Sequence, residues 1–269
     1  MSVKIGETFC KSILNKSGIK GVDYAVNPYT GCGHSCKYCY ARFMTRWVHQ
    51  GDEWGSFVDV KINAVDRLKA EASRKREGVI LLSSVTDPYQ PVEKKYGITR
   101  NILQVLNEYD FPVQILTKSS LVVRDLDIIG EIRDIEVGLT VTVMNDSVRR
   151  VFEPGASTIY QRLDALKKIN DIGVPTYAFL GPMLPFLAEE NLDELLNILA
   201  DRVNRVLVDR LNIKAGNWEP IQRTLERFYP QIIQNFKEAS SEDSNYYVQL
   251  KRKMRVQLSN RAIPFDILF

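Results

Sequence analysis

The sequence predicts an α/β fold: a partial barrel of about six parallel β/α units, followed by a C-terminal helical extension. Short, almost uninterrupted apolar runs recur along the chain, as in strands that are buried on both faces of a parallel sheet. Amphipathic helical patterns separate these runs. The alternation ends near Asn212, before the eight units of a closed barrel are complete, so we expect a (β/α)6 TIM-like partial barrel.

The apolar runs define the predicted strands. The first strand covers residues 22–29 and leads into a loop that contains several cysteines. The later strands follow at residues 78–82, 113–116, 137–141, 176–180 and 205–208. Because the carboxyl ends of parallel strands meet at one edge of such a barrel, we expect the chemistry to lie at that edge.

Apolar residues at helical spacing define the predicted helices. Ser157 is the expected N-cap of the fourth helix, and Gly173 is its expected stop. We divide the chain into an N-terminal extension (1–19), the barrel (20–215) and a C-terminal helical extension packed on it (216–269). The helices are predicted over residues 62–75, 98–106, 126–132, 160–169, 192–199, 220–236 and 246–258.

Composition and charge narrow the class of protein. The 269 residues are 45% apolar and 26% charged, as in an ordinary globular protein, and the net charge of +3 permits a polyanionic substrate without requiring one. Apolar runs stay well below the roughly eighteen residues of a membrane span, and the first residues lack the apolar core of a signal peptide. We therefore expect a cytoplasmic protein that does not enter the membrane. In the reducing cytoplasm, clustered cysteines more often bind metal than form disulfides.

Three cysteines, Cys32, Cys36 and Cys39, carry most of the functional information in the chain. Thiolates at C-x3-C-x2-C spacing can hold three irons of a four-iron cluster and leave the fourth iron without a protein ligand. An open iron can bind a substrate or cofactor, so the motif favours an enzyme over an electron carrier. The alternative is a zinc site whose fourth ligand is His34, His49 or Cys10, although an isolated Cys10 is also typical of a small buried apolar residue.

The cysteine motif, with Tyr38 directly before its third cysteine, resembles the radical S-adenosylmethionine (SAM) superfamily. Flanking segments resemble the spore photoproduct lyase branch of that family, in the expected order over roughly residues 20–190. These segments are residues 27–32, 40–42, 85–90, 116–119, 139–142, 153–155 and 161–163.

The resemblance implies the cofactors and the reaction. A [4Fe-4S] cluster held by Cys32, Cys36 and Cys39 would bind SAM at its open iron. One electron, from a flavodoxin or ferredoxin type of donor, would cleave SAM to methionine and a 5′-deoxyadenosyl radical. That radical would abstract a hydrogen atom from the substrate, so the cofactor carries the difficult chemistry and the protein orients it.

The resemblance also implies a set of cofactor-binding residues. Lys118, at the end of the third strand, would pair with the methionyl carboxylate as a point charge, unless it is an ordinary solvated lysine. Thr140 and Thr142 alternate on one face of the fourth strand and would reach the ribose or amino group, or simply pack there. The full predicted set is Tyr38, Thr86, Asp87, Lys118, Thr140, Thr142, Glu153 and Arg162.

Three further members of this set have ordinary alternatives as well. Glu153 and Arg162 resemble positions near the cofactor, but charged residues usually lie at the surface, where they form exposed pairs. Asp87 precedes a proline, so it is either an orienting carboxylate or a turn residue.

The substrate is the least determined part of the prediction. Spore photoproduct lyase is expected to carry a hydrogen-donating cysteine after its second strand, whereas residues 82–87 here contain serines and no cysteine. The resemblance therefore does not imply repair of spore DNA, and Tyr89, Tyr177 or another tyrosine is the alternative hydrogen donor. Nucleic acid is the leading substrate class by analogy; a small molecule, RNA, or a non-catalytic iron–sulfur or zinc module are the alternatives.

Two further features are assigned to ordinary structure. The basic run at residues 251–255 is expected to be a solvated helix face, although it could touch phosphate. The tryptophans Trp47, Trp54 and Trp218 show no spacing that suggests a base-stacking platform.

Overall fold

The predicted alternation of strands and helices is present in the structure, a computed structural model that describes residues 3–75, 78–241 and 243–269. The strands are β1 (Lys4–Thr8), β2 (Leu14–Lys16), β3 (Tyr24–Val26), β4 (Tyr29–Gly31), β5 (Phe57–Lys61), β6 (Ile80–Leu82), β7 (Val113–Thr117), β8 (Ile135–Thr140), β9 (Thr176–Met183), β10 (Arg205–Arg210) and β11 (Phe265–Ile267). The α-helices are α1 (Ala64–Ala72), α2 (Glu93–Tyr96), α3 (Ile98–Glu108), α4 (Leu126–Ile129), α5 (Asp146–Phe152), α6 (Ile159–Asp171), α7 (Leu192–Ala200), α8 (Trp218–Phe228), α9 (Ile233–Ala239) and α10 (Tyr246–Ser259). Short 3-10 helices cover Tyr40–Arg46, Ser120–Asp125, Leu187–Glu189 and Pro230–Ile232.

The main sheet confirms the partial barrel. Its order is β11-β10-β9-β8-β7-β6-β3-β2, and the six strands from β3 to β10 in this order are parallel neighbours. These are the six predicted strands. The sheet gains β11 as a further parallel strand at one edge and β2 as an antiparallel strand at the other.

The predicted first strand is two strands in the structure. β3 belongs to the main sheet, whereas β4 pairs with β5 in a separate three-stranded sheet of order β1-β5-β4. The break falls at Asn27 and Pro28, because proline has no N–H to continue a ladder. The side chain of Asn27 instead accepts hydrogen bonds from the N–H groups of Ser84 and Val85 after β6.

Local signals predicted most helices but not all of their ends. The N-cap of α6 is Thr158 and not Ser157, because Thr158 and Gln161 form a reciprocal capping box. Gly173 follows α6 with a φ of 79°, as expected of a helix stop. The single helix predicted over 220–236 is wrong: α8 ends before Pro230, and α9 begins after a 3-10 turn. The helix predicted over 126–132 is reduced to the single turn α4.

Both predicted extensions contain strands as well. β1 and β2 lie within residues 1–19, of which residues 1 and 2 are outside the described range, and β11 lies within 216–269. The division of the chain into three parts remains a prediction. Within the described ranges, no helix is long and apolar enough to cross a membrane.

Strand register defines the inner face of the barrel. Gln114 pairs with Glu136 across β7 and β8, and Tyr177 on β9 pairs with Gly138 on β8 and with Arg205 on β10. Since Glu136 and Gly138 are two residues apart on one strand, these positions share one face. Because side chains alternate along a strand, the same face carries Thr140 at the carboxyl end of β8, and Lys118 and Thr142 follow one residue after β7 and two residues after β8.

Candidate functional site

The three cysteines of the motif lie together on the loop after β4, and each is a free thiol. Burial raises the pKa of Cys32, and the neighbouring groups Asp87, Cys36 and Cys39 raise it further. Burial also raises the pKa of Cys36 and Cys39, while the ammonium of Lys118 opposes that rise at both. Three adjacent thiols in a buried site are soft ligands that a bound metal would hold deprotonated, so the donor set fits an iron–sulfur cluster.

The proposed fourth ligands of a zinc site are engaged by other side chains. His34 Nδ1 lies 3.2 Å from Asp87 Oδ2. The two ring nitrogens of His49 lie 3.3 Å from Asp52 and 2.8 Å from Asp59. The half-buried Cys10 thiol lies 3.3 Å from Asn63 Oδ1. In the described ranges, no three His, Cys, Asp or Glu side chains converge as ligands of one metal ion.

Thr86 and Gln90, from the loop after β6, hold the start of the cysteine loop. Thr86 donates a hydrogen bond to the Gly31 carbonyl at 2.6 Å, and Gln90 donates to Thr86 Oγ1 at 2.9 Å. The Gly33 N–H donates in turn to Gln90 Oε1 at 2.7 Å. Thr86, which was predicted to bind the cofactor, therefore contacts the cysteine loop in the structure. Gln90 is fully buried and was missed, although it lies in the segment 85–90 that carries the family resemblance.

Asp87 connects three loops and is no simple turn residue. Thr117 Oγ1 and the Tyr89 N–H donate to Oδ1 at 2.6 and 2.9 Å, and the Lys118 N–H donates to Oδ2 at 2.8 Å. Burial opposes ionisation of this carboxyl. His34 and the donors of Thr117 and Lys118 nevertheless lower the pKa of Asp87 to about 2. A buried, ionised carboxylate thus joins β6, β7 and the cysteine loop.

Glu153 and Arg162 form an ion pair in the interior, so the alternative of an exposed surface pair is wrong. Both side chains are 0% exposed, and Arg162 Nη2 donates to Glu153 Oε2. Tyr38 and Thr142 donate to the other carboxylate oxygen, Thr142 at 2.8 Å. Burial alone would raise the pKa of Glu153, but Arg162, Lys118 and Tyr38 hold it below its usual range. The four side chains saturate one another.

Arg162 also fixes the backbone around this pair. Its Nη1 donates to the Thr140 carbonyl and its Nε to the Ser157 carbonyl, both at 2.9 Å.

Gly155, two residues after Glu153, lies against the cysteine loop. The Gly155 N–H donates to the His34 carbonyl at 3.1 Å. A Cβ on Gly155 would lie 2.2 Å from the Gly33 carbonyl oxygen, so only glycine allows this approach. The Glu-Pro-Gly segment is therefore packed directly on the cysteine loop.

Lys118 is the cation of the site whose charge is not neutralised by an ion pair. Its half-buried side chain places Nζ 5.9 Å from the centre of the Tyr38 ring. Burial lowers the pKa of the ammonium, but Cys36, Glu153 and Asp87 outweigh burial and raise it. In the part of the chain that the structure describes, Nζ has no hydrogen bond or ion pair. A positive charge is therefore available beside the cysteines.

A segment after β10 contacts the cysteine loop from the side opposite the loops after β6, β7 and β8. The buried Asn217 donates through Nδ2 to the carbonyls of Tyr38 and Asn212, both at 2.9 Å. Arg42, just beyond Cys39, donates to the Gly216 carbonyl at 3.2 Å. Sequence reasoning missed Asn217, because nothing in its local pattern indicates a partner 179 residues away.

Of the two tyrosines named as hydrogen donors, Tyr89 lies in the loop after β6, at the edge expected for the chemistry, whereas Tyr177 lies at the opposite end of its strand. Tyr89 is fully buried. The Tyr177 hydroxyl donates to the Ile115 carbonyl at 3.3 Å, and Tyr177 stands at the start of β9. The position after β6 is occupied by Ser83 and Ser84, of which Ser83 has a φ of 70°.

A cavity of about 420 Å³ opens between the end of β10 and the C-terminal helices. It therefore lies at the edge of the barrel where the sheet ends, next to the segment that carries Asn217. Its lining residues are Arg210, Leu211, Asn212, Ile213, Trp218, Lys237, Ser240, Ser241 and Tyr247.

Comparisons with known proteins agree with this geometry. The model of the Radical SAM superfamily matches residues 26–201. An uncharacterised protein of Methanocaldococcus jannaschii is 37% identical over 236 residues, which cover 87% of this chain and 88% of that protein. A radical SAM Nalpha-GlyT isomerase of Pseudomonas phage M6 is 23% identical over 222 residues, which cover 80% of this chain and 45% of the phage protein. A spore photoproduct lyase variant with bound AdoMet and dinucleoside spore photoproduct has a TM-score of 0.73 at 16% identity, over 98% of this chain and 82% of that one.

Proposed function

The chain belongs to the radical SAM superfamily, and we propose that it is an enzyme that removes a hydrogen atom from its substrate. The cofactors of this family are a [4Fe-4S] cluster and SAM. When bound, they would supply one-electron reductive cleavage of SAM and a radical able to abstract a hydrogen atom from the substrate. Three adjacent thiols, of which those of Cys32 and Cys36 are buried, beside the unneutralised ammonium of Lys118 are the observation that carries the proposal.

Cys32, Cys36 and Cys39 would hold the cluster, and Lys118 would bind the carboxylate of SAM. A carboxylate of the ligand would supply the ion-pair partner that Lys118 lacks, and no existing contact would have to break. Asp87 holds the backbone of Lys118 through the Lys118 N–H, so it positions this ammonium group. Thr140 remains the predicted contact of the ribose or the amino group.

The buried network around Glu153 would serve mainly to hold the protein structure and less to contact the cofactor. Its members are Tyr38, Thr142, Glu153 and Arg162. Their polar groups are engaged with one another, and the Glu153 segment touches the cysteine loop. A saturated buried network of this kind rigidifies its surroundings. We assign to it the task of fixing the loop that presents the three thiols.

Nucleic acid is the proposed substrate class. The support is the spore photoproduct lyase variant, which was solved with a dinucleoside photoproduct, and the phage relative named as a Nalpha-GlyT isomerase. Because serines occupy the place after β6, we do not assign the lyase's repair reaction to this chain. RNA or a small molecule is the second candidate for the same chemistry.

An external reductant completes the proposal. A flavodoxin or ferredoxin type of protein would deliver the electron to the cluster. A cytoplasmic location remains a prediction from the sequence.

Anaerobic reconstitution with iron and sulfide, followed by dithionite and SAM, tests the proposed chemistry. We expect about four irons per chain and formation of 5′-deoxyadenosine, measured by chromatography, with the Cys36→Ala variant as the inactive control. One equivalent of zinc without iron, or a complete cluster that never cleaves SAM in the presence of nucleic acid, would contradict the proposal.

A further inference from the structure

A row of aromatic rings, exposed at Tyr40 and Trp47 and half-buried at Phe43 between them, begins directly after the last cysteine of the motif. Tyr40, Phe43 and Trp47 form this aromatic ridge on and just after the 3-10 helix Tyr40–Arg46. The Tyr40 and Phe43 rings are stacked with centres 6.5 Å apart and planes 24° apart. Trp47 meets Phe43 edge to face at 5.8 Å. The helix thus presents a continuous aromatic surface.

The aromatic ridge starts at the edge where the chemistry is expected. The Tyr40 hydroxyl donates to the Ser84 carbonyl, at the carboxyl end of β6. The ridge therefore leads from the strand ends outward into solvent. A molecule lying along it would reach the cysteine side of the barrel at Tyr40.

Packing of the core does not account for this surface. Trp47 is 68% exposed, whereas Trp54, seven residues later in the chain, is 5% exposed and packs on Phe57. Tyr40 is also exposed. Large aromatic side chains held in solvent beside a site are typical of a binding surface.

Two cations flank the aromatic ridge. Lys214 Nζ lies 5.2 Å from the centre of the Tyr40 ring, close enough for a cation–π contact. Arg46 is exposed at the end of the 3-10 helix. Among the described residues, neither Arg46 nor Lys214 has a carboxylate within 4.0 Å, as the ion pairs found elsewhere do. The surface therefore combines ring faces with positive charge.

We propose that the aromatic ridge binds single-stranded nucleic acid, with bases stacked on Tyr40, Phe43 and Trp47 and phosphates near Arg46 and Lys214. Aromatic rings interleaved with cations are the usual way to bind single strands, because every base has a π-face and every nucleotide a phosphate. The inference rests on the proposed function, of which it names the substrate-binding surface. Considering the tryptophans alone misses this surface, since two of its three rings are Tyr40 and Phe43.

Binding of a fluorescein-labelled oligothymidylate of twelve nucleotides to the reconstituted protein, measured by anisotropy, tests this proposal. Trp47→Ala should raise Kd by about 10-fold, as expected for loss of one base–aromatic stack. Lys214→Ala should reduce the slope of log K against log salt by roughly 0.7, the change for one lost phosphate contact on a single strand. SAM cleavage by dithionite should be unchanged in both variants.

Matched controls distinguish this surface from general effects. Tyr160→Ala removes an aromatic ring of similar exposure (63%) on α6, and Arg255→Ala removes an exposed cation of the C-terminal basic run. Both should leave Kd and the salt slope unchanged. Equal Kd values for the native chain and Trp47→Ala would overturn the proposal. So would failure of the native chain to bind the oligonucleotide, and that outcome leaves SAM cleavage, and with it the proposed chemistry, separately measurable.

Discussion

The two sides of the barrel edge differ in how their charges are neutralised. On the closed side, formed by the loops after β6, β7 and β8, Asp87 and the Glu153–Arg162 pair are buried and fully hydrogen-bonded. On the open side, formed by the segment after β10 and the aromatic ridge, Lys214 is exposed, and Asp209 lacks an ion-pair partner among the described residues. The closed side is built to hold one geometry, while the open side keeps charged and aromatic groups available.

This difference matches the tasks of the two sides. A cofactor of constant structure is best held by preorganised groups, because fixed donors and dipoles need no rearrangement when it binds. Lys118 lies between these extremes: the closed side fixes its backbone, and its ammonium stays unpaired. The proposed polymeric substrate would instead require an accessible surface, and the aromatic ridge would provide one.

Loss of a cluster ligand should have the largest effect on the closed side. Cys32→Ala, Cys36→Ala and Cys39→Ala should each abolish a functional cluster, because in the proposed site these three thiolates are the full protein donor set. Iron content and 5′-deoxyadenosine formation measure this. Cys10→Ala is the control and should keep both values at the native level, since Cys10 lies against Asn63. Cluster loss in the Cys10 variant would refute the ligand assignment.

Breaking the interior ion pair should destabilise the fold strongly. Glu153→Ala leaves the Arg162 guanidinium buried without its carboxylate, which costs about 3–5 kcal/mol. Urea unfolding of the apoprotein measures the change. The matched control is Lys168→Ala, which breaks an exposed pair with Asp164 (2.8 Å) and should change stability by no more than about 0.5 kcal/mol. Similar losses of stability in the two variants would show that the interior ion pair stabilises the fold no more than an exposed pair does.

Lys118→Ala should weaken binding of SAM more than assembly of the cluster. Loss of a hydrogen bond to a charged group costs about 1.5–3 kcal/mol, or roughly 10- to 150-fold in Kd. Equilibrium dialysis of the reconstituted protein with labelled SAM measures Kd, and iron analysis measures assembly. Lys118→Arg should retain part of the affinity. An unchanged Kd in Lys118→Ala would remove Lys118 from the site.

The carboxylates Asp87 and Asp209 should respond to pH in opposite directions. Asp87 has a pKa of about 2 in the fold against 3.8 ordinarily, so its ionised form stabilises the native state by about 2 kcal/mol at neutral pH. That contribution is present above about pH 4 and is lost as the pH falls toward 2. Asp87→Asn should therefore be destabilising at pH 7 and nearly neutral at pH 2 in urea unfolding of the apoprotein.

Asp209 has the opposite sign and a smaller effect. Burial raises its pKa more than the Arg210 N–H and the charges of Arg210 and Lys214 lower it. The ionised form is thus disfavoured in the native state, and Asp209→Asn should stabilise the fold at neutral pH. The gain should disappear below about pH 4, where the carboxyl is neutral in both states. A destabilising Asp209→Asn at pH 7 would show that its carboxylate is used in the fold.

Patterns within short segments predicted much of the fold and the chemistry of the site. The strands β6 to β10 follow from apolar runs, and the assignment of three cysteines to a cluster, which stays a prediction, follows from their spacing. The break between β3 and β4 was missed, because β4 pairs with β5. β5 does not belong to the alternation of strands and helices from which the other strands were predicted. Gln90 was missed for the same kind of reason: its partner Gly33 is 57 residues away.

The sequence by itself determined the ligand type and its spacing, since three thiols within eight residues can meet at one cluster in almost any loop. Only the tertiary structure decided which charged residues serve the fold and which stay available. Arg162 and Lys118 look equally polar in the sequence, yet Arg162 is buried against Glu153 while the Lys118 ammonium faces the cysteines unpaired. The physical reason is that burial and pairing, which set the state of a charge, arise from contacts between distant segments.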